Sequence, residues 1–188
     1  MLRFLFYLLF LSMINLTAHA NYRSQVRKIG DYTQIINPII AASMAPHNKG
    51  LGHFALIFIE DTVITHAIKL IGVGTKIPIS KRPYAANRNG RYDGMPSGHT
   101  ASAWTAAAYI RHFEENKLIS IPFYIAAGFT GYSRIKAQKH TTAQVIGAAA
   151  LAELIVYLNK QSQWSQEYQS YDVHLEGNTI SSKIVLKF

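Results

Sequence analysis

The sequence predicts an all-α protein, a compact helical bundle carrying a small C-terminal β-hairpin. Two observations predict the bundle: the apolar residues fall into runs of helical length, and each run is short or carries a charged residue. A third concerns the whole chain, whose mean hydropathy is near zero, so the runs bury against one another rather than in lipid. A multi-span membrane protein is the competing architecture, and peripheral attachment to a membrane lies between the two. The 188 residues suffice for one domain with a sizeable core.

Residues 1–20, MLRFLFYLLFLSMINLTAHA, combine a basic start at Arg3, an apolar centre and the small-residue pattern Ala18-His19-Ala20. This is the form of a secretory signal peptide, and it predicts export with Asn21 as the first mature residue. A retained N-terminal anchor is the alternative, although the apolar stretch is short for a span. Thr33–Met44 reads as a short helix entered or interrupted at Pro38. Leu51–Gly72 is a longer apolar run, but His53, Glu60, Asp61, His66 and Lys69 within it argue against a lipid-facing segment. Residues 75–99, rich in Lys, Arg, Gly, Asn and Pro, read as a loop long enough to carry function. Helical runs follow at about 100–113, 118–132 and 141–159, the last capped within His140-Thr141-Thr142. In the tail Ile184, Leu186 and Phe188 alternate behind a Gly177-Asn178 turn, the pattern of a hairpin. The chain thus divides into the leader 1–20, a helical domain over 21–160 and a tail over 161–188.

The chain has no cysteine, which excludes disulfides and thiolate metal sites and leaves stability to packing. Its 19 Lys and Arg against 10 Asp and Glu give a net charge of +9. That balance favours anionic partners such as phosphate esters or anionic lipid surfaces. Nucleic acid fits poorly, because the basic residues are scattered and export separates the chain from it.

Three clusters sit at the ends of the apolar runs: Lys81-Arg82-Pro83, Pro96-Ser97-Gly98-His99, and Ser133-Arg134 through Lys139-His140. The turn before the Ala-rich run after His99 leaves unpaired N–H groups at a helix N-terminus, which attract anions. Gly98 permits close approach, Ser97 offers a hydroxyl, and His99 a proton mobile near neutral pH. Ser97 also fits as a plain N-cap with His99 a surface neighbour. Together the clusters hold cations, donors, a nucleophile and an acid, the parts that phosphoryl transfer needs.

In their order and spacing, RP, PSGH and SR-x5-H resemble the signature of the type 2 phosphatidic acid phosphatase and vanadium haloperoxidase superfamily, over about residues 65–150. The resemblance implies that helical fold and metal-independent hydrolysis of phosphate monoesters, with no cofactor. It implies His140 as the nucleophile that becomes phosphohistidine and His99 as the general acid. It implies Arg82, Arg134, Ser97 and Gly98 as the phosphate cradle.

Two positions depart from the pattern K-x6-RP and H-x3-D. Position 75 is Thr, so the first-motif lysine is Lys69, which ends an apolar helical run facing the loop, or Lys76, which lies in irregular backbone; Lys69 is preferred. Four residues after His140 the usual Asp is Gln144, which lacks the charge that would orient and support the imidazole. Another carboxylate such as Glu153 or Asp93, or a backbone carbonyl, then has to orient the ring, or turnover falls. The resulting expectation is an exported, periplasmic phosphatase, soluble or peripherally attached to a membrane. Its substrate would be a lipid phosphate, such as lipid A, phosphatidate or isoprenyl diphosphate, or a related phosphomonoester. A soluble non-specific acid phosphatase and a non-catalytic binder of phosphate or lipid headgroups are the alternatives.

Overall fold

The computed structural model describes residues 22–45, 50–83, 90–162, 171–176 and 179–184; the leader read over 1–20 lies outside them. Among the described residues five helices make the bundle: α1 (Tyr22–Ser43), α2 (Gly50–Thr75), α3 (Gly98–Phe113), α4 (Ser120–Lys136) and α5 (Thr142–Gln161). Short 3-10 turns, Pro78–Ser80 and Lys117–Ile119, precede α3 and α4. The tail forms the antiparallel hairpin read from the sequence, β1 (Tyr171–Glu176) with β2 (Thr179–Ile184), in which Glu176 pairs Thr179 and Tyr171 pairs Ile184. Its turn residues, Gly177 and Asn178, lie outside the described residues.

Helix α3 is the axis of the bundle and touches all four other helices. Its run Thr105-Ala106-Ala107-Ala108-Tyr109-Ile110 is buried on every side. The small alanines let neighbours approach closely, and larger residues from those neighbours, among them Phe54, Ile57, Phe123 and Val156, complete the core.

Helix α1 starts eleven residues before the helix read at Thr33, because its buried stripe is not hydrophobic. Val26, Gly30, Thr33, Asn37 and Ala41 recur at helical spacing on the inner face. The Thr33 hydroxyl meets that of Thr130 at 2.6 Å, and the Asn37 amide donates to the carbonyls of Ala103 and Phe123 at 3.0 and 3.1 Å. Hydrogen bonds thus seat α1 against α3 and α4 where apolar contact would ordinarily do so. Gly30 is the point of closest approach: a Cβ there would fall 1.8 Å from Ser133 Oγ and 2.8 Å from the Arg134 guanidinium.

Two glycines give a matched test of this packing. Gly30→Ala inserts a methyl into a filled crossing and should cost about 1–3 kcal/mol. Gly74→Ala, in the last turn of α2 with open space around it, should raise stability by up to about 1 kcal/mol through helix propensity. Calorimetric melting of both variants checks the pair; similar shifts would contradict the close α1–α4 contact.

Candidate active site

The three motif clusters meet at one end of the bundle, around a cavity of about 630 Å³. Lys69, Arg82, Gly98, His99, Arg134 and His140 all line it. Each is delivered by an element end: Lys69 near the end of α2, Arg82 after the first 3-10 turn, Gly98 and His99 in the first turn of α3, Arg134 in the last turn of α4, and His140 just before α5. The first N–H groups of α3 have no partner within the helix and face the same end, which favours an anion there.

His140 is held by its Nδ1, 2.9 Å from the Gly94 carbonyl and 3.1 Å from Gln144 Oε1. Both partners only accept, so Nδ1 carries the proton and Nε2 of the neutral ring is bare. Nε2 lies 3.3 Å from a guanidinium nitrogen of Arg82, which donates to it. Burial, then the charges of Arg82 and Lys69, lower the His140 pKa to about 3, against the raising effect of the bonds to Gln144 and Gly94. The ring is therefore neutral at any ordinary pH.

Gln144 is bonded through both the oxygen and the nitrogen of its carboxamide. Its Oε1 accepts from His140 and from the Thr141 N–H, and its Nε2 donates to the carbonyls of Ile79 and Lys81 at 2.8 and 2.9 Å. Thr141 and Gln144 also form the capping box of α5. Of the other orienting groups considered, the backbone carbonyl is the one in place, from Gly94. Asp93 instead bonds Arg82 at 2.7 Å and Arg91 at 3.3 Å. Glu153 is engaged elsewhere, accepting from Trp104, His112 and Tyr124. Gly94 has to be glycine to come this close, since a Cβ would lie 2.5–2.8 Å from the Gln144 carboxamide.

His99 is tied to a residue the sequence reading did not single out. Asp31 of α1 takes the His99 Nε2 at 3.1 Å and Arg134 at 2.6 Å on the same oxygen, Oδ1. Burial raises the Asp31 pKa, but Arg134 and then His99 outweigh it and hold the carboxyl below its usual range. Burial and the Arg134 charge lower the His99 pKa to about 4, with Asp31 pulling the other way. Arg134 itself is fully buried, its remaining nitrogens bonded to Ser133 Oγ and the Arg27 carbonyl. Lys139, also on the cavity, has its pKa lowered by burial and by neighbouring arginines despite Asp31.

The two lysines separate clearly. Lys69 lines the cavity and donates to the carbonyls of Asp93 and Pro96, whereas Lys76 is exposed, with a φ of +54° just past the end of α2. Ser97 differs from the cradle reading. It occupies the N-cap position of α3 but is fully buried, makes no capping bond, and accepts instead from the Thr100 hydroxyl at 3.0 Å. Its side chain is not part of the described cavity lining.

No curated protein and no solved structure matches the chain. The family model described as the PAP2 superfamily matches residues 52–168, a stretch that holds all three motif clusters, all but the first two residues of α2, and the whole of α3, α4 and α5. With the motifs in order and their side chains around one cavity of an all-α bundle, the chain belongs to the PAP2 superfamily, whose members are phosphatases.

Proposed function

We propose that the protein is an exported, metal-independent phosphatase that hydrolyses a lipid phosphate or a related phosphomonoester through a phosphohistidine. The observation that carries this reading is the unprotonated Nε2 of a neutral, fixed His140, which accepts from Arg82, in a cavity it shares with His99, Arg134 and Lys69. In the first step the Nε2 lone pair forms the N–P bond, the ester P–O bond breaks, and the leaving oxygen takes a proton from His99. In the second, His99 takes a proton from water as its oxygen attacks phosphorus, the N–P bond breaks, and inorganic phosphate leaves. Arg82, Arg134, Lys69 and the Gly98 N–H hold the equatorial oxygens. Asp31 is a positioning residue for His99 and Arg134.

A lipid substrate is supported by the outer face of the bundle. Leu51, Ile59, Val63, Leu70 and Ile71 of α2 and Ile146, Leu154 and Leu158 of α5 are exposed. Among the described residues one helix, Thr142–Gln161, is long and apolar enough to cross a membrane. These faces suit contact with a bilayer from which a phosphorylated lipid is drawn. Hydrolysis of aryl, soluble alkyl and lipid phosphates by the mature protein separates this reading from a non-specific acid phosphatase and from a binder without turnover.

The two histidines should fail differently. His140→Ala should abolish turnover and phosphoenzyme on every substrate. His99→Ala should lose about 10²–10⁴-fold on alkyl phosphates but far less on an aryl phosphate, whose leaving group needs little protonation. Steady-state rates on both substrates check this; equal losses for His99→Ala would exclude its acid role.

The pH profile follows from the same two groups. The free enzyme needs His140 neutral, above about pH 3, and His99 protonated, below about pH 4. The kcat/KM profile should therefore peak on the acid side of neutral and fall as pH rises. In Asp31→Asn the loss of a pKa-raising partner should move that fall to lower pH, more visibly with alkyl than with aryl phosphates; a limb moved upward would contradict it. Stability runs the other way. Both histidines have folded pKa values below the unfolded 6.5, so the unfolded chain binds more protons, and stability should drop as pH falls below about 6.5. Chemical denaturation at pH 7 and pH 5 measures it.

A further inference from the structure

The cavity extends away from the histidines along α2, and its far part is used by nothing in the reaction above. Asp61 and Thr65 line it there, one helical turn apart, with Lys69 one turn further on the same face. At 1.5 Å per residue, Thr65 stands about 6 Å and Asp61 about 12 Å along the axis from Lys69. The two residues are 1% and 2% exposed, yet Asp61 Oδ1 and Thr65 Oγ1 have no hydrogen-bond partner. Buried polar atoms are nearly always paired, so two orphans on one stripe of one cavity are out of the ordinary.

We propose that Asp61 and Thr65 form a leaving-group subsite that binds the hydroxyls of a sugar or polyol phosphate. This rests on the phosphatase reading of the histidine end. Oδ1 is an acceptor for which no donor lies within hydrogen-bond distance, although the Thr105 hydroxyl, 2.9 Å from the Ala101 carbonyl, interacts with the Asp61 carboxyl and favours its charged form. Thr65 Oγ1 can both donate and accept. A hydroxyl does both as well, whereas an ammonium only donates, so a polyol answers the pair more fully. Burial, and secondarily the charge of Glu60, raise the Asp61 pKa to about 6 despite Thr105. Oδ1 remains an acceptor in either state. Along α2 the lining thus passes from a cation at Lys69, through Thr65 and Asp61, to the ring of Phe58. A phosphate followed by a hydroxylated ring matches that order.

Glucose 1-phosphate and cyclohexyl phosphate share a six-membered ring and differ in its hydroxyls, and p-nitrophenyl phosphate controls for the chemistry. The wild-type enzyme should prefer the sugar ester. Thr65→Val and Asp61→Leu should each lower kcat/KM on it about tenfold or more while changing the other two less than about twofold, since a site built to bond hydroxyls loses only the substrates that carry them. Asp61→Asn, which keeps a carbonyl oxygen, should retain most of the preference. Equal losses on all three esters, or unchanged preference in both variants, would overturn the subsite. Should Asp61→Leu fail to fold, the isosteric Thr65→Val decides alone. If the wild-type enzyme turns over no ester at all, the phosphatase reading falls, and titration calorimetry with the first two esters decides the subsite. Tighter binding of the sugar ester by wild type, lost in Thr65→Val, supports it; equal affinities overturn it.

Discussion

The Gln144 carboxamide is the junction on which the site depends. Its oxygen holds His140 and the Thr141 N–H, and its nitrogen holds the carbonyls of Ile79 and Lys81. The main-chain carbonyl of Gln144 takes the Ser97 N–H at 3.1 Å. Three segments far apart in sequence are thereby registered: the strand of chain that carries Arg82, the loop that carries Gly94 and leads into α3, and the N-terminus of α5. An aspartate could not donate to Ile79 or Lys81. The amide exchanges a countercharge for a second set of bonds, and the histidine it orients stays neutral.

That exchange shifts the electrostatic burden onto the rim of the cavity. A phosphorylated imidazolium in this site would have no carboxylate at Nδ1, only the dipoles of a backbone carbonyl and a side-chain amide. Compensation falls to the phosphoryl oxygens themselves, among Lys69, Arg82, Arg134 and Lys139. The nearby carboxylates are already committed, Asp93 to two arginines and Asp31 to Arg134 and His99. A dianionic phosphate is the ligand that such a cationic, pre-paired shell accommodates best.

The parts legible in the sequence were those written in local chemistry. Four of the helices follow apolar runs, the cap of α5 was legible within His140-Thr141-Thr142 though not the partnership of Thr141 with Gln144, and the hairpin was read from the alternation of Ile184, Leu186 and Phe188 behind Gly177-Asn178. The motif residues were legible because short fixed patterns carried them. Helix α1 was half hidden, because its buried stripe uses Gly30, Thr33 and Asn37, which read as surface residues until the α3 and α4 carbonyls that receive them are known. Asp31 was hidden for the same reason: it lies on that helix with no motif around it, and its meaning comes from Arg134 and His99, more than sixty residues away. The orienting role of Gly94 is a main-chain property, so its side-chain identity announces only that something approaches closely. Ser97 shows the opposite failure, where a motif residue turned inward to Thr100 instead of toward the cavity.

A backbone carbonyl and an uncharged amide hold His140 as the neutral Nδ1–H tautomer, with Nε2 unprotonated beside Arg82. Nitrogen-15 NMR of the histidine rings, with His140 assigned by its loss in His140→Ala, tests this most directly. The expected result is a protonated Nδ1 and a pyridine-like Nε2 at neutral pH, unchanged on acidification well below the ordinary histidine range. A proton on Nε2, or titration of the ring near pH 6.5, would contradict it.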